Sequence, residues 1–142
     1  MTYYPYLVIP LIAWALAQAL KVVTDSLRHH RVDIARLGSS GGMPSSHTAM
    51  VLSLTTLVGR RMGVGSAEFA ISAVFSAVVM YDATGVRRAV GRQARALNRI
   101  LDDLLTSQGI NEERLRELIG HTPVEVYAGG LLGIGMALLL GR

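Results

Sequence analysis

The chain has 142 residues, 51% of them hydrophobic and only 17% charged, against roughly 25% charged in soluble domains. With a mean hydropathy of +0.39, this argues against a soluble domain and for a single membrane-embedded domain over residues 1–142. Cysteine is absent, which excludes disulfides and thiolate-bound zinc. The net charge of +4 comes without an RNA-binding motif or aromatic-basic interleaving, so nucleic acid is not an expected partner.

Residues 4–20, YPYLVIPLIAWALAQAL, carry no charge and lead into Lys21, which suits a first membrane span. Tyr3, Tyr4 and Tyr6 stand where an aromatic belt meets the interface. A cleaved signal peptide is the rival reading, and the missing positive n-region counts against it. Residues 22–46 form a polar connection holding Asp25, Arg28, His29, His30, Arg31 and Arg36. Its last part enters GSSGGMPSSHTA, Gly38 to Ala49, a glycine-rich loop feeding a helix. Gly41 and Gly42 let the backbone bend closely. Pro44 starts the helix, and Ser45 or Ser46 caps it. His47 then falls in the first turn, where N–H groups and the helix dipole favour an anion.

The second apolar run, 48–59, ends at Arg60–Arg61. A helix begun at Pro44, with both arginines snorkelling, is long enough to span the bilayer. Residues 62–66 form a glycine-containing turn, and residues 67–86 a third span with Asp82 near its end. Residues 87–122 are polar again. Within them GRQARALNRILDDLL places Ala94, Leu97, Ile100, Leu101, Leu104 and Leu105 on one face of an amphipathic helix, which lies on the membrane surface or packs on the domain. Asn111 caps a second short helix through Glu117, which Gly120 ends. Residues 123–140 make a fourth span, where Gly129, Gly130, Gly133 and Gly135 allow close helix packing in lipid and offer a face for a homodimer.

The expected fold is therefore all-α: a bundle of about four transmembrane helices plus one or two short cytoplasmic or interfacial helices. Lys21, Arg28, Arg31 and Arg36 follow the first span. Arg87, Arg88, Arg92, Arg95, Arg99, Arg114 and Arg116 follow the third. Arg60, Arg61 and Arg142 fall on the other side. The positive-inside rule puts the charged loops in the cytoplasm and both termini outside.

Four spans bring Lys21, His47, Asp82 and the pair His121–Glu125 to one face of the membrane. Ionisable residues at such positions are functional candidates. A glycine-rich turn, a helix N-terminus, a lysine and several arginines are the parts that bind a phosphate dianion. Of two histidines, one can attack phosphorus and the other protonate the leaving oxygen. A carboxylate can orient the attacking imidazole. No GK[ST] follows the glycines, which argues against ATP, and His47, Asp82, His121 and Glu125 show no recognised metal-ligand spacing.

These residues resemble the divergent branch of the type 2 phosphatidic acid phosphatase superfamily, the acid phosphatase and vanadium-dependent haloperoxidase-related family. Its pattern is K-x6-R-P, then P-S-G-H, then S-R-x5-H-x3-D. Lys21 and Arg28 match the first part, with His29 in place of Pro. Pro44, Ser45, Ser46 and His47 match the second, with Ser46 in place of Gly. His121 and Glu125 match the end of the third, with Glu for Asp. Leu115 stands where the third part has Arg, and YDATGVRR offers Arg87 and Arg88 instead.

The charge count and the span pattern together imply a multi-pass protein of the inner or plasma membrane with its site on the cytoplasmic face. The resemblance implies His121 as the nucleophile that becomes phosphohistidine and His47 as the general acid. Lys21, Arg28 and Arg88 or Arg87 would clamp the phosphoryl oxygens, helped by backbone amides near Ser45 and Ser46. Glu125 would orient His121, with Asp82 as a competing orienter or a partner for an arginine. No metal or other cofactor is implied. The substrate would be a membrane lipid phosphate such as phosphatidylglycerophosphate, phosphatidate or an isoprenyl diphosphate. The alternatives are a non-catalytic protein that binds lipid phosphate headgroups and a small transporter. The absence of charge in the middle of any span argues against the transporter.

Overall fold

A computed structural model describes residues 5–29, 42–105 and 121–141, with the side chains of Pro5, Arg28, His29, Arg87, Arg88, Leu101, Asp103, Leu104 and Leu105 outside the described set. The described residues form helices α1 (Pro5–His29), α2 (Ser46–Met62), α3 (Ala67–Tyr81), α4 (Arg87–Leu105) and α5 (Pro123–Leu140). A π-helical turn, Asp82–Val86, joins α3 to α4. No strand occurs among the described residues.

Among the described residues three stretches are long and apolar enough to cross a membrane: Tyr6–Leu27, Ala67–Ile100 and Pro123–Leu140. The second helix does not join them by length and composition, having 17 residues and two arginines in its last turn. Its position explains its polarity. α2 is the hub of the bundle and packs on α5, α1 and α3. Ser46, Thr48, Ser53 and Thr55 are buried there, facing other helices rather than lipid, so a hydropathy average undersells the segment.

Some boundaries differ from those expected. α1 runs on to His29, about two turns past Lys21, so the connection expected from residue 22 begins as helix and Lys21 lies inside α1. α2 begins at Ser46 with Ser45 as N-cap, not at Pro44. The Met43–Pro44 peptide is cis and Gly42 has φ +102°, a backbone region that suits glycine. The third span and the amphipathic segment form one helical path from 67 to 105, because the π turn carries Gly85 through without a break. On α4, Arg92, Arg95 and Arg99 are exposed and Ala94 is buried, while Leu97 and Ile100 face outward. The short helix expected from Asn111 to Glu117 lies outside the described residues.

Glycine governs the central packing. α2 and α5 run parallel and start at the same end of the bundle. The Ser45 N–H donates to the Glu125 carbonyl at 2.9 Å. A Cβ on Gly129 would overlap the Ser45 carbonyl, one on Gly133 the Ala49 carbonyl, and one on Gly130 would crowd Leu52. Small residues at this spacing let two backbones meet. Gly129, Gly130 and Gly133 thus serve packing within the chain, whereas Gly135 has open space beside it.

The other helices join through similar means. α1 buries Ile9, Ala13, Ala17 and Lys21, a stripe one turn apart. α3 meets α2 through Thr55, whose Oγ1 lies 2.8 Å from Ser76 Oγ and 3.1 Å from the Ser72 carbonyl. At the end opposite Ser45, Arg60 Nη1 donates to the Leu138 carbonyl at 3.3 Å, and the Arg61 guanidinium lies 5.5 Å from the Tyr6 ring centroid. These two contacts account for the paired arginines.

Candidate active site

The site is built outward from the start of α5. Thr122 is the N-cap and Pro123 follows it, the preferred order for opening a helix. The Thr122 hydroxyl accepts from the Glu125 N–H at 3.4 Å, and the Thr122 N–H donates to Glu125 Oε2 at 3.0 Å. This capping box folds the Glu125 carboxylate back over the helix start. There the same Oε2 lies 3.0 Å from His121 Nδ1. With the proton on Nδ1, Glu125 Oε2 accepts it, and Nε2 is then the ring nitrogen that carries the lone pair. The His121 N–H donates to the Ala83 carbonyl of the π turn at 3.1 Å. Backbone and ring are therefore both held, and His121 is 3% exposed.

His47, Val78, Val79, Asp82, Ala83 and His121 line one cavity of about 280 Å³. Two histidines and a carboxylate from three separate segments thus face a common space. His47, in the first turn of α2, is exposed to solvent, whereas His121 is buried. Glu125 rather than Asp82 holds the His121 ring at Nδ1, which separates the two orienters left open by the residue pattern. Asp82 lines the cavity wall.

Lys21 approaches from α1. It is buried, and the carboxylates of Asp25 and Glu125 both act on its ammonium. Gly42 packs against its stem, where a Cβ would collide. Thr24 Oγ1 donates to the Met43 carbonyl at 2.7 Å, tying the 42–45 loop to α1 over the lysine. The N-termini of α2 and α5 open at this same end, and two parallel helices present two positive dipole ends to an anion there.

Ser45 plays a different part from the one expected. Its N–H is committed to Glu125, and its hydroxyl lies 3.0 Å from that of Thr48, so it makes no side-chain cap. It fastens α2 to α5. Ser46 is buried as the first residue of α2. The side chains of Arg28, Arg87 and Arg88 lie outside the described residues. Three features escaped notice in the residue pattern: the Thr122 cap, the Ala83 carbonyl and the Val78–Val79 wall. Only the cap had a readable signal, the T-x-x-E spacing of Thr122 and Glu125.

A cavity of this kind, with an oriented buried imidazole and an exposed second imidazole, and with Lys21 and two helix N-termini at the same end of the bundle, has the parts for nucleophilic attack on an anionic centre. Residues 3–136 match the Divergent PAP2 family. The chain is 40% identical to "Uncharacterized membrane protein YuiD" of Bacillus subtilis (strain 168), over 87% of this chain and 85% of that protein. No solved structure matches. The family match takes in every residue of the cavity and nearly the whole chain, and the chain belongs to the Divergent PAP2 family of membrane proteins.

Proposed function

We propose that this protein is a metal-independent lipid phosphate phosphatase that hydrolyses a phosphomonoester or pyrophosphate on a membrane lipid. Phosphatidylglycerophosphate, phosphatidate and isoprenyl diphosphates are the substrate class. The observation that carries this reading is the common cavity of His47, Asp82 and His121, with Glu125 at His121 Nδ1.

In the first step His121 Nε2 attacks phosphorus. The bond to the leaving oxygen breaks, its electron pair stays on that oxygen, and protonated His47 supplies the proton. In the second step water attacks the phosphohistidine, His47 takes the water proton, and the N–P bond breaks to release inorganic phosphate. Glu125 stabilises the His121 cation as it forms. Lys21 and the two helix N-termini, with Arg28 and Arg87 or Arg88, offset the charge on the phosphoryl oxygens. In this reading α2 makes the fourth membrane crossing and the site opens on the cytoplasmic face, which the Lys and Arg asymmetry supports.

The test is phosphate release from a panel of lipid phosphates by wild type, His47→Ala and His121→Ala, with and without vanadate. Wild-type release abolished in both variants and blocked by vanadate is the expected result. Unchanged release in both variants overturns the mechanism. Topology is tested by thiol labelling, since the chain has no cysteine. Ser40→Cys is expected to react only with permeant reagent and Val64→Cys with impermeant reagent.

A second reading, a non-catalytic protein that binds lipid phosphate headgroups, draws on Leu115 at the arginine position of the third motif. Tight binding of a lipid phosphate by wild type without any phosphate release would favour it.

A further inference from the structure

A second depression lies on the outer face of α3. Ala70, Ile71, Val74, Phe75 and Val78 line a groove of about 500 Å³ that holds no polar side chain among them. They recur at helical spacing and share one face. The opposite face of α3, with Ser72 and Ser76 buried, is the one bonded to α2. The groove therefore looks away from the bundle, and all four larger residues are more than half exposed.

This groove is not an isolated apolar patch. Val78 lines both it and the cavity of His47, Asp82 and His121. Asp82 follows Val78 by four residues, one turn further along the same helical path. From Ala70 to Val78 the helix rises about 12 Å, enough for a chain of roughly ten carbons at the usual extended spacing. A ligand with its anionic end in the cavity has its next atoms at Val78, where the wall turns wholly apolar.

We propose that the α3 groove is the subsite for the hydrocarbon chain of an amphiphilic phosphate whose headgroup occupies the His47–His121 cavity. This rests on the phosphatase reading above for its headgroup site. Bulk lipid would cover any outward apolar face. A groove that ends on the cavity instead binds one chain in register with one headgroup. It makes α3 a specificity element: a chain long enough to run from Val78 towards Ala70 packs more of its length along the groove than a short one, so longer alkyl phosphates are selected over short ones.

Two measurements on the full-length protein in detergent test this. The first compares kcat/KM for octyl phosphate and butyl phosphate. Ile71→Trp and Val74→Trp, which fill the groove, are expected to lower the octyl-to-butyl ratio about tenfold. Leu139→Trp, exposed on α5, should leave it unchanged. An unaltered ratio in both groove variants, with butyl phosphate still hydrolysed, overturns the subsite. The second reads binding without turnover. An octyl phosphate bearing a diazirine at its chain end is photolysed on the protein, and the labelled peptide is identified. Labelling between Ala70 and Val78 that inorganic phosphate suppresses is expected, and labelling elsewhere overturns the proposal. If wild type hydrolyses neither ester, the phosphatase reading falls and the labelled position still decides the groove.

Discussion

Gly129 of α5 meets Ser45, the N-cap of α2, backbone against backbone, so that a single methyl group on Gly129 would overlap the Ser45 carbonyl. Because α2 and α5 run parallel, this contact does more than close the bundle. It sets the start of α5, with His121 and Glu125, beside the start of α2, with His47. Packing and site are thus coupled through one glycine.

Gly129→Ala and Gly133→Ala are accordingly expected to be costly, since the atom each methyl meets is backbone and cannot rotate away. A loss of about 3 kcal/mol is expected from overpacking of this kind. Gly135→Ala, with open space beside it, should be neutral or stabilising by up to about 1 kcal/mol through helix propensity. Thermal unfolding of the three variants in detergent checks this contrast.

Glu125 has two duties, and two substitutions separate them. Glu125→Gln keeps an acceptor for the capping box but removes the charge that, in the proposed mechanism, stabilises the His121 cation. Its kcat is expected to fall by about 10² to 10⁴-fold, as when the carboxylate of a catalytic triad is neutralised, with little change in melting temperature. Glu125→Ala should show the same loss of kcat and, in addition, about 1 kcal/mol of lost stability from the missing cap. Steady-state kinetics with a soluble phosphate ester, paired with thermal unfolding, gives both readouts.

Lys21→Met preserves the buried apolar stem and removes the charge. If the ammonium meets phosphoryl oxygens, the loss of a charge-assisted hydrogen bond, about 1.5–3 kcal/mol, weakens vanadate inhibition roughly 10- to 100-fold. A dose–response of vanadate against wild type and the variant measures it. Unchanged inhibition would place Lys21 outside the anion site.

Arg60 works at the far end of the bundle. Its guanidinium caps the α5 carbonyls of Ala137 and Leu138. Arg60→Met is expected to cost about 1 kcal/mol and to leave phosphate release unaltered, because the site lies at the other ends of α2 and α5. Activity and melting temperature measured on the same preparation test that separation.

Much of this was legible in the chain itself. The uncharged runs locate α1, α3 and α5, and the fourth run coincides with α5 from Pro123 to Leu140. The glycine pattern foretold close packing but not its partner. A small residue permits a near approach from any backbone, and only the parallel course of α2 and α5 selects Ser45 and Ala49. The helical reach of α1 past Lys21 was hidden because Asp25 and Arg28 look like a loop when hydropathy is averaged.

The sequence by itself determined that charges from distant segments gather at one end of a helical bundle. Apolar runs of fixed length must alternate direction, and this constraint places Lys21, His47, Asp82 and His121 together without any knowledge of contacts. Tertiary structure alone decided how they divide their work. Both Asp82 and Glu125 carry carboxylates close to that end, and both had equal claim on His121. The Thr122 capping box turns Glu125 back onto Nδ1, while the π turn leaves Asp82 on the cavity wall. Side-chain direction follows from local hydrogen bonding and packing between segments far apart in the chain, which no reading of hydropathy or spacing contains.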